Sequence, residues 1–150
     1  MKCFNVGILG TGSIAQSMAF TLNALKDKGE VVPYAIASRS LKKAENFARE
    51  WHFEKAYSSY EALVSDPAVD LIYIATPHSL HYEHALLCLN HSKNTLVEKS
   101  FTANALQAQE LLSLAADKKV LLAEAIWTRY MPSRKIIADL LASGAIGRFT

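Results

Sequence analysis

Short apolar segments alternate with longer amphipathic segments along the 150 residues, and this alternation limits the fold more than any other feature. The apolar segments cover residues 3–9, 31–37, 69–75, 94–98 and 120–126, with a weaker one at 55–58. Several are apolar throughout, which is typical of strands covered on both faces in a parallel sheet. The pattern therefore predicts an α/β fold with a doubly wound parallel sheet of about six strands and helices on both faces.

The helices between these strands have recognisable starts. Ser58 with Glu61, and Asn104 with Gln107, form capping boxes in which side chains satisfy the first free N–H groups of a helix. Pro77 suits a first turn, where its missing N–H is not needed. The predicted helices cover 13–26, 41–51, a short segment from Ser58 to Asp66-Pro67, 78–90, a segment from Asn104, and 133–143.

A glycine-rich turn joins the first predicted strand to the first predicted helix. Its sequence fits the pattern G-x-G-x-x-G/A, in which the second glycine lets a pyrophosphate approach the backbone and a small third residue allows close helix packing. Free N–H groups at the helix start would then face the anion. The motif predicts a Rossmann-type dinucleotide site, with a merely structural turn as the alternative. The residues assigned to it are Gly10, Thr11, Gly12, Ser13 and Ile14.

The end of the second strand indicates which dinucleotide is bound. An NAD site usually has an acidic residue here for the ribose hydroxyls. This chain has Ser38 and Arg39, followed by Lys42 and Lys43. A guanidinium can bind a 2′-phosphate and a serine can add a hydrogen bond, so we expect NADP(H) to be preferred over NAD(H). The alternative is a solvated basic start of a helix.

Three further segments follow later strands: ATPHSLH at 75–81, EKS at 98–100 and WTRY at 127–130. Together with GILGTGSIA, IASRS, LVEKSF and EAIWTRYMP, they make the whole chain resemble the Gfo/Idh/MocA family of oxidoreductases. The sequence EAIWTRYMP is most similar to the corresponding segment of the NADP-dependent dihydrodiol and D-xylose dehydrogenase branch. The resemblance implies an oxidoreductase that transfers a hydride between nicotinamide and a hydroxyl or carbonyl of a sugar, polyol or diol.

The resemblance also assigns roles to residues of these segments. Lys99 matches the lysine of the family's E-K-P motif, which contacts the substrate hydroxyl and assists proton transfer. Lys99 is also assigned to the residues that would border the cofactor, which are Ala75, Thr76, Pro77, His78, His81, Glu98, Lys99, Trp127 and Arg129. Two positions depart from the family pattern, since His78 replaces an asparagine and Ser100 replaces a proline that would restrict the backbone.

The chemistry of alcohol oxidation supports a role for Lys99 independently. The reaction moves a hydride to nicotinamide and a proton to a base. A partly desolvated lysine near a cationic ring is suited to act as that base or as a proton relay. The alternative is an exposed lysine that merely follows a strand.

The resemblance predicts a part that these 150 residues do not contain. Family members carry a C-terminal substrate and dimerisation domain, so we expect this chain alone to be inactive and the full-length parent to be a homo-oligomer. A second hypothesis is a non-enzymatic dinucleotide-binding sensor or regulatory module, and a third is a domain with a vacant cofactor site. Lys99 favours the enzyme, because a sensor needs no proton relay.

Composition and spacing argue against other classes. The net charge of +2 is too small to indicate nucleic acid or a membrane surface. The sequence has no apolar run near the length of a membrane span and no recognisable signal peptide, so a cytoplasmic location is expected. Cys3, in the first strand, and Cys88 are interpreted as two buried free thiols. Metal binding by His78, His81 and His84 is not expected, because on one helix the outer two would diverge by about 120°. The aromatic residues Tyr57, Tyr60 and Trp51 and the histidines His52, His84 and His91 are interpreted as packing or surface residues.

Overall fold

A computed structural model describes residues 3–147 and contains one six-stranded sheet in the order β3-β2-β1-β4-β5-β6. All neighbouring strands are parallel, which confirms the doubly wound α/β fold. The carboxyl ends of the strands therefore share one edge of the sheet. The strands are β1 Phe4–Leu9, β2 Val31–Ala37, β3 Lys55–Tyr57, β4 Leu71–Ile74, β5 Asn94–Val97 and β6 Leu122–Glu124.

Six α-helices and two short 3-10 turns connect or follow these strands in the described part of the chain. The predicted helix 78–90 is divided, because its first residues form a 3-10 turn, His78–Leu80, and the α-helix starts only at His81. The second 3-10 turn covers Trp127–Tyr130. The α-helices are α1 Ser13–Lys26, α2 Leu41–Trp51, α3 Tyr60–Val64, α4 His81–Asn90, α5 Ala105–Lys118 and α6 Pro132–Ala142.

One of the two predicted capping boxes is correct. The side chain of Asn104 accepts a hydrogen bond from the Gln107 backbone N–H at 3.0 Å. The Ser58 box is wrong, because α3 begins one residue later than expected and the hydroxyl oxygen of Ser59 accepts from the Ala62 N–H at 3.1 Å. A pair of adjacent serines leaves the position of the cap undecided until the register of the helix is known.

The two cysteines differ in their surroundings. Cys88 is fully buried, and this burial raises the pKa of its thiol to about 12. Cys3 lies just before β1, is only partly buried, and donates from Sγ to the Gly29 carbonyl oxygen at 2.9 Å. The prediction of two buried thiols is therefore correct for Cys88 and wrong for Cys3, which precedes the strand instead of lying in it.

The hydrophobic core lies on both faces of the sheet. One cluster packs β-strand residues against α4 and α5, and includes Leu9, Ile72, Ile74, Leu89 and Leu111. The other packs against α1 and α2, and includes Val6, Ile8, Ala15, Ala19, Ile36 and Phe47. Burying each large aliphatic side chain contributes about 1.5–3 kcal/mol, so these clusters hold the strand ends that carry the site in fixed positions.

A buried carboxylate joins β2, β3 and the segment before β4. Asp66 accepts hydrogen bonds at Oδ2 from the Tyr57 hydroxyl at 2.7 Å, the Lys55 ammonium at 3.0 Å and the Tyr34 hydroxyl at 3.2 Å. Its Oδ1 accepts from the Ala68 N–H at 2.9 Å. Burial opposes ionisation of Asp66, but these donors outweigh it and hold the pKa of the carboxyl well below its ordinary value.

The last helix contributes no buried residue to the core. Along α6, several large apolar side chains are exposed, among them Ile136, Ile137, Leu140 and Leu141. Between residues 3 and 147, none of the helices combines the length and the apolar character that crossing a membrane requires.

Candidate functional site

A cavity of about 350 Å³ lies at the carboxyl edge of β1, β2 and β4. It brings together the predicted residues of the glycine turn, of the end of β2 and of the first part of the 75–81 segment. One further residue, Tyr60 at the start of α3, was not predicted to be there. The lining residues are Gly10, Thr11, Gly12, Ser13, Ile14, Ser38, Arg39, Lys43, Tyr60, Ala75, Thr76 and Pro77.

The two glycines of the turn are present for different reasons. Gly10 has a φ of +102°, and a Cβ added to it would lie 2.8 Å from the carbonyl oxygen of Ala75, so the fold itself excludes a side chain there. Gly12 has an ordinary φ of −81°, and an added Cβ would meet no described atom within 4 Å. The fold does not require glycine at position 12. A diphosphate group lying close to the protein backbone at this position would require it.

The start of α1 makes the cavity favourable for an anion. Gly12 is the N-cap residue and provides no side-chain hydrogen bond, and the first turn of this 14-residue helix has no acidic residue. The first N–H groups of a helix have no partner within the helix and carry the positive end of its dipole. Because Gly12 adds no side chain in front of them, they form the kind of site in which phosphate groups bind.

The adjacent end of β2 adds positive charge. Arg39 and Lys43 both line the cavity and are exposed, while Ser38 beside them is buried. The hydroxyl oxygen of Ser38 accepts from the Ser40 N–H at 3.4 Å, which leaves its own proton to donate. Among the described residues that line this cavity, none is acidic, so its electrostatic potential favours an anion.

Thr76 forms a rigid part of the cavity wall. It is buried, its hydroxyl oxygen lies 2.8 Å from Nδ1 of His84, and the ring of His84 packs edge-on against Tyr60 with a centroid separation of 4.6 Å. Burial lowers the pKa of His84 and raises that of Tyr60, and the positive charge of Arg39 opposes the rise at Tyr60. His84 is thus a packing residue, as expected, whereas Tyr60 faces the cavity because α3 starts at the carboxyl edge of β3.

The structure corrects the role predicted for His81. This side chain is fully buried, and both its ring nitrogens lie within hydrogen-bonding distance of backbone carbonyl oxygens. It has neither exposed surface nor a free polar atom to offer a cofactor. His78, by contrast, is exposed in the 3-10 turn, but it is not part of the cavity lining.

The predicted residues after β5 and β6 lie outside this cavity. Glu98 and Trp127 line a second cavity of about 460 Å³, and Arg129 lines a groove beside α6. Lys99 is exposed and is the second residue after β5, and its peptide bond to Ser100 is cis. The structure therefore joins the glycine turn, the end of β2 and residues 75–77 in one cavity, and leaves the predicted residues that follow β5 and β6 outside it.

Glu98 is held in place beside Lys99. Its carboxylate is buried and accepts from the Tyr73 hydroxyl at Oε1 and from the Lys99 backbone N–H at Oε2, the latter at 3.1 Å. Burial, and then the bond to Glu98, raise the pKa of Tyr73 far above its ordinary value, so the hydroxyl keeps its proton and remains a donor. Because both of its oxygens accept hydrogen bonds, Glu98 positions the start of residues 98–101, called the Lys99 segment below.

Across residues 3–147, no group of three or more His, Cys, Asp or Glu side chains is arranged to hold a metal ion.

A glycine cradle at the start of a helix, at the edge of a parallel sheet, defines the chain as a dinucleotide-binding Rossmann domain. Residues 4–126 match the family model GFO_IDH_MocA, described as "Oxidoreductase family, NAD-binding Rossmann fold". The chain belongs to this family, as the resemblance predicted.

Relatives of known activity cover almost the whole chain. It is 43% identical over 151 residues to D-xylose 1-dehydrogenase (NADP(+)) of Hypocrea jecorina, covering 94% of this chain and 38% of that protein. It is 42% identical over 141 residues to trans-1,2-dihydrobenzene-1,2-diol dehydrogenase of Xenopus tropicalis, covering 94% and 42%. These two enzymes match the branch predicted from the sequence. The chain spans about two-fifths of their length.

Solved structures agree with the fold. KijD10, a 3-ketoreductase from Actinomadura kijaniata in complex with NADP, superposes with a TM-score of 0.88 at 32% identity, covering 97% of this chain and 46% of that one. Levoglucosan dehydrogenase in complex with NADH and L-sorbose gives a TM-score of 0.88 at 25% identity, covering 99% and 41%.

Proposed function

We propose that this chain is the cofactor-binding part of an NADP-dependent oxidoreductase that transfers a hydride between nicotinamide and a hydroxyl or carbonyl of a sugar, polyol or diol. The observation that carries the proposal is the cavity that joins the glycine cradle, with no side chain at Gly12, to the basic side chains of Arg39 and Lys43. A dinucleotide with an additional phosphate on its adenosine ribose fits both features. Substrate contacts and the interface of a homo-oligomer are then expected from a second domain of the complete protein, since the relatives are more than twice as long.

The preference for NADP rests on the end of β2. A carboxylate there would repel a 2′-phosphate, whereas a guanidinium forms charge-assisted and often bidentate bonds to it. The relatives do not decide the question, because one is named for NADP(+) and one of the similar structures contains NADH. The choice therefore depends on Ser38, Arg39 and Lys43 of this chain.

The proposed reaction divides the work between the cofactor and the chain. When bound, the nicotinamide cofactor supplies the acceptor or donor of the hydride. The glycine turn holds the diphosphate, and Thr76 and Pro77 form the adjacent wall. Lys99 takes the proton from the substrate hydroxyl at Nζ during oxidation and returns it during reduction.

Titration of the chain with NADPH and with NADH, followed by tryptophan fluorescence, tests the cofactor. We expect NADPH to bind at least about tenfold more tightly, which corresponds to about 1.4 kcal/mol. Arg39→Ala should remove most of this difference, and Lys118→Ala, which changes an exposed lysine in the last turn of α5, serves as the control. Equal or tighter binding of NADH would overturn the NADP preference.

Turnover tests the enzyme against the sensor hypothesis. The complete gene product is assayed with NADP⁺ and a panel that includes D-xylose and trans-1,2-dihydrobenzene-1,2-diol. We expect turnover with at least one sugar or diol, and we expect Lys99→Ala to reduce kcat by about 10²–10⁴-fold while NADPH binding is retained. Tight NADPH binding with no turnover across the panel would favour a non-enzymatic module.

A further inference from the structure

The buried ring of His81 connects the two segments on which the proposed reaction depends. Nε2 lies 2.9 Å from the carbonyl oxygen of Thr76, in the wall of the glycine-turn cavity. Nδ1 lies 2.7 Å from the carbonyl oxygen of Ser100, the residue after Lys99. These segments follow the neighbouring strands β4 and β5 but are separated by more than twenty residues in the sequence. The His81 side chain therefore links the cavity wall at Thr76 to the Lys99 segment.

The chemistry of the two acceptors determines the protonation state that the His81 ring needs in order to bond to both. A carbonyl oxygen only accepts hydrogen bonds, so each of the two contacts requires a proton on the ring nitrogen that faces it. A neutral imidazole carries one such proton, whereas an imidazolium carries two. Both contacts lie within the distances expected for charge-assisted N–H···O bonds. The pair of bonds is complete only in the doubly protonated ring.

The other contacts of the Lys99 segment show why this link matters. Glu98 continues the sheet by donating its N–H to the Ile74 carbonyl oxygen at 3.1 Å, and the Phe101 N–H donates to Oε1 of Glu124 at 2.9 Å. Along the chain, the contact of the Ser100 carbonyl oxygen with His81 lies between these two anchors. Thr76, at the other end of the link, is also held through its hydroxyl by His84.

We infer that His81 is a positioning residue that donates, as an imidazolium, to the carbonyl oxygens of Thr76 and Ser100. These two bonds fix the Lys99 segment relative to Thr76 in the cavity wall. This inference rests on the proposed role of Lys99. A base must lie within hydrogen-bonding reach of the proton that it removes, so the distance between cofactor and lysine has to be maintained. His81 acts on that distance without touching the cofactor or the substrate.

The first test reads the ring directly, without any cofactor. In ¹⁵N–¹H NMR spectra of the ¹⁵N-labelled chain at neutral pH, both ring nitrogens of His81 should carry slowly exchanging protons. The exposed His91, whose Nδ1 lies 2.9 Å from the Leu87 carbonyl oxygen of its own helix, should exchange its ring protons rapidly. A His81 ring with only one protonated nitrogen would overturn the inference.

The second test compares His81→Gln with the matched control His91→Gln at the C-cap of the same helix. In the chain, His81→Gln should shift the backbone amide signals of Thr76, Lys99 and Ser100 together, and His91→Gln should leave them in place. In the complete gene product, we expect kcat to fall about 100-fold while the KM for NADPH changes less than about threefold, because misplacing a group by about 1 Å has an effect of that size.

The outcomes separate this inference from the proposed function. If Thr76 responds to His81→Gln but the Lys99 and Ser100 signals do not, or if kcat is unchanged, the link does not position the lysine. If the substitution prevents folding, the ring protons of the unmodified chain still decide. Absence of NADPH binding by the unmodified chain would refute the proposed function, whereas a doubly protonated ring would still be observed.

Discussion

Replacing each glycine of the turn by alanine should separate folding from binding. At Gly10 the φ of +102° places an alanine in a region that costs about 1–3 kcal/mol. The added Cβ would also lie 2.8 Å from the Ala75 carbonyl oxygen, so the backbone at Ala75, just after β4, must shift. We expect Gly10→Ala to lower the free energy of unfolding by about 3 kcal/mol and Tm by about 6–12 °C.

Gly12→Ala should instead change stability little and weaken NADPH binding strongly. Alanine is a poorer N-cap residue than glycine, which costs about 0.5–1 kcal/mol. The reduced entropy of the unfolded chain offsets this by about 0.4–1 kcal/mol, because the native φ of −81° is compatible with alanine. Stability should therefore change by less than about 1 kcal/mol. The new methyl group would occupy the space proposed for the diphosphate, so NADPH affinity should fall at least about 100-fold.

Two measurements on each variant show whether a glycine of the turn is required for folding or for NADPH binding. Thermal unfolding followed by circular dichroism gives the stability of each, and fluorescence titration with NADPH gives the affinity. The reasoning would be refuted if Gly12→Ala retained NADPH affinity, or if it destabilised the chain as much as Gly10→Ala. Either result would make the turn a structural feature only.

Three further changes probe the cavity and the two buried carboxylates, Glu98 and Asp66. Tyr60→Ala should weaken the binding of NADPH and of 2′,5′-ADP by a similar factor and leave nicotinamide mononucleotide unaffected, as competition titrations would show. Tyr73→Phe removes the hydroxyl donor to Glu98 and should cost about 1–3 kcal/mol of stability, measured by urea unfolding. Asp66→Asn should cost a similar amount above pH 5, about 1–3 kcal/mol. Because the folded pKa of Asp66 lies below its unfolded value of about 4, the contribution is present above that value and is lost as the pH falls through it towards the folded pKa. Unfolding curves between pH 7 and pH 2 should show the difference between wild type and Asp66→Asn decreasing over the acidic part of the range.

Features that depend on neighbouring residues could be read from the sequence. The alternation of apolar strands and helices, the glycine turn and the basic end of β2 involve residues close together in the chain. Their geometry follows from local periodicity and turn chemistry. For this reason the doubly wound parallel sheet of six strands and the joining of the glycine turn with Arg39 and Thr76 agree with expectation.

The direction of individual side chains could not be read in the same way. The segment 78–90 was expected to be one helix, but its α-helical part begins at His81, and the resulting phase directs that ring into the interior. Tyr60 reaches the cavity because β3 ends beside it, which requires knowledge of the strand order. Trp127 and Arg129 lie apart from the glycine turn because β6 is at the far edge of the sheet.

The sequence by itself determined the class of the fold and the location of an anion-binding turn, since both are encoded in patterns a few residues long. Only the tertiary structure decided which histidine packs against the cavity-lining residues Thr76 and Tyr60 and which one bridges two carbonyl groups. That distinction arises from the packing of α4 against the ends of two strands, and contacts between residues distant in the sequence leave no local pattern from which they could be predicted.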